Sequence, residues 1–137
     1  MAIHSRLGGD WAQLEQKRRI PIRFDFQIGN KLIEVEGRHH FSSSRMSTLD
    51  FYDDIEHDLN VDWYRELCSK FSDKADRYHA KREAVDFPFP GGRTAQRAYF
   101  DAVKDLLAPA YGLRLIRLPA ADDDLVDSIS LTLRALL

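Results

Sequence analysis

The stretch from Arg23 to His40 constrains the fold of this chain more than any other stretch, because it combines strand alternation with a turn signal. Apolar and polar residues alternate over Arg23–Ile28 and again over Lys31–Glu36, which is typical of two β-strands. The two residues between them, Gly and Asn, are a favoured two-residue hairpin turn. The sequence therefore predicts a β-hairpin.

The period of two places apolar side chains on one face of this hairpin and carboxylates on the other. We expect the apolar set to be buried, and it comprises Phe24, Phe26, Ile28, Ile33 and Val35. Asp25, Glu34 and Glu36 then project together from the opposite face. Carboxylates at this density repel one another unless a cation lies between them, and Mg²⁺ prefers oxygen ligands. The hairpin therefore predicts a site for Mg²⁺ (or Mn²⁺), although a merely solvated strand face could carry the same residues.

Three short motifs follow one another in an order that is more informative than each motif alone. Asp25 is followed, after eight residues, by the run EVEGRHH that ends at His40. A later segment, FDAVK, carries Asp101 and Lys104, and GLRLIRL at Gly112–Leu118 comes after it. Together they resemble the signature of the PD-(D/E)xK nucleases. The nearest likeness is to the branch of very-short-patch mismatch endonuclease-like proteins and their homing-endonuclease relatives.

This resemblance spans about Asp10–Ser42 and Gly92–Leu137, and it implies both a fold and a function. The function would be that of a Mg²⁺-dependent endonuclease, which hydrolyses phosphodiester bonds in DNA. In the family pattern Asp25 would be a bridging metal ligand and Glu34 a second ligand. Glu36 occupies the third position, where many relatives carry Lys, and it can bind metal or accept a proton from water.

The two adjacent histidines are expected to differ in role. His40 matches the histidine of the family pattern, so it would protonate the leaving group or act as a base. If the chain stays extended beyond Gly37, alternation also puts His40 on the carboxylate face and turns His39 away. Asp101 is expected to reach the histidine, and Lys104 to contact phosphate. Residue types alone leave open that the histidines are solvated and that the other two lie on an exposed helix face.

The net charge of the chain is −2, so any contact with nucleic acid has to come from a local basic patch. The predicted nucleic-acid contacts are Arg18, Arg19, Arg23, Arg38, His39 and Arg97. Arg45 and Arg93 are further candidates for phosphate contact. The acidic run Asp50–Asp58 would repel DNA, so we expect it to point away from the site or to cover it.

The rest of the pattern predicts helices and one further strand within a single domain, 1–137. The predicted helices are Trp11–Arg18, one or two between Asp62 and Glu83, Thr94–Ala108, and a last one from Ala121 onward. The predicted strand, Leu113–Leu118, is expected to be buried on both faces. This order gives an α/β fold, a restriction-endonuclease-like small mixed sheet flanked by helices, with a helical insertion at about 43–91.

Several local details follow from the same pattern. Ser42–Ser44 is predicted to be a loop, and Pro109 is predicted to end the helix that Thr94 begins. The last helix should turn Leu125, Ile129 and Leu133 toward the core. The middle helix should bury one face, which comprises Trp63, Leu67, Cys68, Phe71, Ala75 and Tyr78.

Cellular location and partners are constrained only coarsely. The single cysteine and the lack of a long apolar run predict a soluble, cytoplasmic protein without a membrane partner. DNA is the expected partner, and RNA is not excluded. An alternative is a catalytically inactive nuclease-fold module that binds nucleic acid or a protein. A third possibility is a regulatory or assembly subunit. It would bind a second copy of itself or a partner protein through the exposed aromatics of the insertion, Phe51, Tyr52 and Trp63.

Overall fold

The computed structural model of the chain describes residues 1–16 and 22–136. Within them, three strands form one sheet in the order β1 (Phe26–Ile28), β2 (Lys31–Glu36), β3 (Arg114–Pro119). β1 pairs antiparallel with β2, and β2 pairs parallel with β3. The protein is therefore a mixed α/β protein built on a small mixed sheet, as the sequence predicts at this level.

Helices make up most of the remaining described structure. They are α1 (Ala2–Arg6), α2 (Trp11–Gln16), α3 (Ser43–Thr48), α4 (Val61–Arg77), α5 (Gly92–Ala110) and α6 (Asp123–Leu136). Short 3-10 turns cover Arg38–His40 and Leu49–Phe51. The predicted α2, α4, α5 and α6 are present, whereas α1 and α3 are additional. No helix in the described ranges is both long enough and apolar enough to cross a membrane.

The predicted hairpin is present, and Ile33 is buried as predicted, but the carboxylates of β2 are buried as well, and three of the apolar residues are exposed. Gly29 supplies the turn with a φ of +61°, and Phe26 lies opposite Ile33. Phe26, Ile28 and Val35 are 60%, 41% and 39% exposed, so the prediction that they are buried is wrong. The reason is that α5 packs over the other face of the sheet, where Leu32 contacts the helix and the β2 carboxylates are enclosed.

The helix α5 starts and ends differently from the prediction. It begins at Gly92, after Gly91 with a φ of +86°, and Thr94 is not its cap. It also continues through Pro109 to Ala110, and the N–H of Tyr111 closes the last turn by donating to carbonyl oxygens within it. Its buried face holds Ala98 and Ala102 together with two aspartates. Leu107 of the same helix is 40% exposed.

The main apolar core lies between α4 and residues 41–52. The buried residues of α4 are Tyr64, Leu67, Cys68, Phe71 and Ala75. Trp63 and Tyr78 are 37% and 50% exposed, so their predicted burial is wrong; the helix is rotated to bury Tyr64 instead. Tyr52 is fully buried rather than an exposed aromatic.

Two smaller predictions have mixed outcomes. Ser42–Ser44 is not a loop, because the Ser42 hydroxyl caps α3 by accepting the N–H of Arg45 at 3.1 Å. In α6, the predicted inward residues Leu125, Ile129 and Leu133 are half-buried rather than core.

Candidate functional site

The candidate site forms where β2 ends and α5 passes over it. Glu36 is the last residue of β2, and its side chain is fully buried. The backbone is extended at Gly37 and then turns through Arg38–His40, which returns the His40 ring toward Glu36. Nδ1 of His40 lies 3.7 Å from Oε2 of Glu36 and donates a hydrogen bond of 2.8 Å to Oδ2 of Asp101 on α5. Three potential ligands from three local structures therefore meet at one point.

This group is distinctive within the described ranges. Glu36, His40 and Asp101 each offer a ligand atom, and these atoms all lie within 4.8 Å of one another; no other set of three or more His, Cys, Asp or Glu residues there does so. The His40 side chain is 16% exposed, whereas those of Glu36 and Asp101 are 0% and 4% exposed. Solvent and ligands therefore reach the group from the His40 side.

A buried guanidinium neutralises the two acids of this group. Arg117 on β3 donates from Nη1 to Oε2 of Glu36 at 2.9 Å and lies 3.6 Å from Oδ1 of Asp101. Its Nη2 donates to the Asp101 carbonyl oxygen at 2.9 Å. The Tyr64 hydroxyl donates to Oε1 of Glu36, which leaves the carboxylate with few free acceptor directions.

A second buried pair extends the network away from the surface. Nε of Arg117 donates to Oδ1 of Asp105 at 2.7 Å, and Nη2 of Arg45 donates to Oδ2 of Asp105 at 2.6 Å. The Tyr52 hydroxyl donates to the same Oδ2 at 2.6 Å. The whole network contains three carboxylates and two guanidinium groups. A positive charge at His40, whether a proton or a cation, would balance it.

The electrostatics of the network favour ionised acids. Burial alone would raise the pKa of Asp101, but the hydrogen bond from His40 and the charge of Arg117 outweigh burial and hold this pKa well below its usual range. Burial and the neighbouring Glu36 raise the pKa of Tyr64 well above its usual value, so this phenol stays a donor. Asp101 is therefore available as a charged acceptor.

The other predicted catalytic residues lie beside this group rather than within it. Glu34 is buried and accepts a hydrogen bond of 3.1 Å from Nζ of Lys104. Burial raises the pKa of Glu34 against the opposing charge of Lys104, and the Asp25 carboxylate raises it further. Asp25 is exposed, and its Oδ2 accepts the N–H of Val35 at 2.8 Å. The structure thus does not bring Asp25, Glu34 and Glu36 within ligand distance of one another, and their joint metal binding stays a prediction.

The sequence predicts that His40, not His39, turns toward the carboxylates, and the structure agrees. The reason for this orientation differs from the predicted one. The chain is not extended through Arg38–His40; it forms a 3-10 turn, so alternation does not apply. His40 reaches Glu36 because the two are four residues apart across that turn. His39 packs its ring against Tyr78 at 5.2 Å between centroids instead. Burial, Arg97 and His40 lower the pKa of His39 to about 4, so this ring is neutral at pH 7.

The predicted basic contacts divide into three groups. Arg38 and His39 line a surface groove of about 500 Å³, which also includes Lys74, Arg77 and Tyr78. Arg97 is close enough to His39 for its charge to lower the pKa of that ring. Arg23 is exposed. Arg18 and Arg19 lie outside the described residues.

Arg45 does not line a nucleic-acid groove, because its side chain is fully buried against Asp105. The acidic run that was expected to point away or to cover the site reaches the outer edge of β3, where Asp58 accepts the N–H of Leu115 at 3.1 Å. A second cleft, of about 510 Å³, contains no predicted site residue other than the basic candidate Arg93 and is lined by Glu83, Ala84, Val85, Pro88, Arg93 and Gln96.

Sequence reasoning missed the residues that hold the acids in place. Arg117 belongs to the third motif, where an arginine interrupts a run of apolar residues, and this interruption was the available signal. Asp105 lies four residues after Asp101, and this i, i+4 repeat of aspartates on one helical face was a second signal. Nothing local marks Tyr64 or Arg45 as partners, because they come from other helices.

Compared with protein-family models, curated proteins and solved structures, the chain shows no match to any of them.

Proposed function

We propose that this protein is a divalent-metal-dependent nuclease that hydrolyses phosphodiester bonds in DNA, on a restriction-endonuclease-like core formed by the sheet and α5. The observation that carries the proposal is the convergence of Glu36, His40 and Asp101 at the end of β2. His40, the accessible member, lies next to the basic groove, since its ring centroid is 4.7 Å from that of His39. A charged reaction centre beside a phosphate-binding surface is the arrangement that phosphodiester hydrolysis requires.

The donor set fits a divalent ion in both spacing and chemistry. Ligands about 2.1 Å from an ion and at right angles lie about 3.0 Å from each other, and the separations of 2.8 and 3.7 Å from His40 Nδ1 bracket that value. One imidazole with two carboxylates favours Mn²⁺ over Mg²⁺, which prefers oxygen ligands alone. The ion would replace the proton that Nδ1 now shares with Asp101, and it would balance the charge of the network.

The chain's own residues would then divide the work. A bound divalent ion supplies an activated water and neutralises charge on the phosphate. Asp101 and His40 would hold the ion from two sides, and Arg117 keeps the Glu36 carboxylate aimed at the same point. Lys104, which pairs with Glu34 at 3.1 Å, would turn toward a phosphate oxygen of the substrate. Asp25 and Glu34 remain a second proposed ligand set on the same face of the hairpin, on the resemblance to PD-(D/E)xK nucleases.

The direct test is cleavage of supercoiled plasmid and of single-stranded DNA and RNA in Mg²⁺ or Mn²⁺. Glu36→Gln and Asp101→Asn should each abolish cleavage, His40→Ala should lower its rate by about 10²-fold or more, and Mn²⁺ should support cleavage better than Mg²⁺. Glu66→Gln on α4 and Asp127→Asn on α6 are matched controls, because both carboxylates are exposed. If only Asp25→Asn and Glu34→Gln lose cleavage, the metal is bound by the second proposed ligand set, Asp25 and Glu34. Full activity in all five site variants would refute the proposal.

Metal binding can be measured without substrate. An ion that binds only the folded protein raises its melting temperature. We therefore expect Mn²⁺ to raise the melting temperature of the wild type and to have no effect on His40→Ala, with circular dichroism as a check that the variant is folded.

One observation favours a second candidate, a non-catalytic nucleic-acid-binding module. Each buried acid of the site already has a cationic partner, Lys104 for Glu34 and Arg117 for Glu36 and Asp101. A closed network of this kind is stable without metal. Nucleic-acid binding without cleavage and without a Mn²⁺ effect on melting would select this candidate.

A further inference from the structure

We infer that the groove next to His40 binds an unpaired stretch of nucleic acid, so that the substrate is a single strand or a locally opened duplex; this rests on the nuclease function proposed above. The groove holds about 500 Å³ and is lined by Arg38, His39, Lys74, Arg77 and Tyr78. Two features of these residues identify the ligand, namely a row of rings and a set of cations.

The rings form a continuous row that starts at the candidate site. The centroid of His40 lies 4.7 Å from that of His39, and His39 lies 5.2 Å from Tyr78. Tyr78 lies 4.0 Å from His79, the next ring of the row. Adjacent ring planes are inclined by 37°, 34° and 46°, so the row is tilted rather than perpendicular.

Tyr78 supplies the open aromatic surface of the row. It follows the last residue of α4, is 50% exposed, and its backbone leaves the helix in an extended conformation. An exposed aromatic ring in water gains by stacking on a flat apolar partner. In nucleic acids such a face is available only on a base that has left the double helix.

The cations lie where the phosphates of such a strand would run. Lys74 and Arg77 are exposed residues of the last turn of α4, and neither forms an ion pair with any residue that the structure describes. Arg38, also exposed, donates from Nε to the carbonyl oxygen of Ala121 at 3.2 Å, which fixes the position of its guanidinium. The nearby Asp76 carboxylate is turned to Ser43 and accepts both its N–H and its hydroxyl.

Rings with flanking cations favour a single strand over a duplex. A duplex presents phosphates to a basic surface but keeps its bases stacked inside, so Tyr78 would gain nothing from it. A single strand uses both the cations and the rings. The row also leads directly to His40, so a base on Tyr78 places the neighbouring phosphates toward the candidate reaction centre.

The experiment measures binding apart from cleavage. Fluorescence anisotropy in EDTA gives the dissociation constants of labelled oligo-dT, of oligo-U and of a dA·dT duplex of equal length. Both single strands should bind more tightly than the duplex. Tyr78→Ala should weaken single-strand binding about tenfold and leave duplex binding unchanged, whereas Tyr78→Phe should retain it. Lys74→Ala and Arg77→Ala should weaken the binding of all three ligands and reduce the dependence of the dissociation constants on salt concentration.

Matched controls lie outside the groove. Tyr111→Ala removes a tyrosine that is 76% exposed, and Arg134→Ala removes an exposed cation of α6; both should bind like the wild type. If duplex and single strands bind equally and Tyr78→Ala has no effect, the proposed binding of single strands in the groove is wrong, even if the protein cleaves DNA. Groove-dependent binding without cleavage in any divalent ion would support the groove and overturn the nuclease proposal.

Discussion

Arg45 is a fully buried arginine whose guanidinium contacts Asp105, Tyr52 and Thr48. Two guanidinium groups, those of Arg45 and Arg117, are held by one aspartate from either side. Burying such charges is unfavourable in itself, and the native state tolerates them only while every partner is present. The identity of each residue in this network is therefore more constrained than that of an apolar core residue.

We predict that Arg45→Ala lowers the free energy of unfolding by about 3–5 kcal/mol, because it leaves Asp105 buried with less compensation. Urea denaturation measures this change. Arg65→Ala is the matched control, since Arg65 pairs with Asp50 on the surface and should contribute at most about 1 kcal/mol. Equal losses in both variants would contradict the assigned role of Arg45.

Substitutions of the two neighbouring histidines should have different effects, on the cleavage rate for His40 and on DNA binding for His39. His40→Ala should reduce single-turnover cleavage by about 10²-fold or more, because it removes the accessible member of the group that His40 forms with Glu36 and Asp101. His39→Ala should leave the rate at saturating substrate nearly unchanged and raise the dissociation constant, since His39 contacts Tyr78 in the groove. A larger loss of rate at His39 would reverse the two roles.

At the scale of secondary structure elements, α5 positions most of the site, and its first turn depends on close backbone contact. Gly92 is buried, and a Cβ atom there would collide with the carbonyl oxygen of Phe87. Gly112, after the helix, has a φ of +73° but open space around it. Of these two glycines, therefore, only Gly92 is required for packing.

Gly92→Ala should destabilise the protein by about 3 kcal/mol, because backbone has to move to relieve the collision. Gly112→Ala should cost only about 1–2 kcal/mol, the strain of an alanine at positive φ. Thermal unfolding of both variants gives the comparison. A smaller effect at Gly92 than at Gly112 would show that the start of α5 adapts easily.

For the whole molecule, the buried acids determine how stability depends on pH. Burial alone would raise the pKa of Asp105, but Arg45 and Arg117 lower it below its usual value. The unfolded chain therefore takes up protons at a higher pH than the folded protein, and stability falls as acid is added. Glu34 acts in the opposite direction, because burial raises its pKa.

The free energy of unfolding should thus be lost as pH falls below the ordinary aspartate value of 3.8. Asp105→Asn should be less stable at neutral pH and show a shallower loss in acid, whereas Glu34→Gln should show a steeper one. Asp127→Asn, an exposed control, should follow the wild type. Urea titrations between neutral and acidic pH measure these slopes, and identical slopes in all variants would refute the assignment.

Local signals in the sequence were sufficient for most of the elements. Alternation, the glycine turn and helical periodicity predict the hairpin, β3 and the helices α2, α4, α5 and α6, because these features depend on neighbours in the chain, but they miss the short helices α1 and α3. The pairing of Asp101 with His40 was also expected, on the resemblance of the motifs, and the 2.8 Å hydrogen bond between them agrees.

Tertiary packing alone decided which face of the hairpin is buried and how the acids are paired. Alternation separates the two faces of β2 but does not say which one α5 covers, so Phe26 and Val35 were expected to be buried and are exposed. The partners of Glu36, Tyr64 and Arg117, come from α4 and β3, far away in sequence. The sequence shows that Glu34 and Glu36 share one face of a strand, whereas only the fold shows that Lys104 and Arg117 are their cationic partners, because electrostatic pairing depends on distance in space.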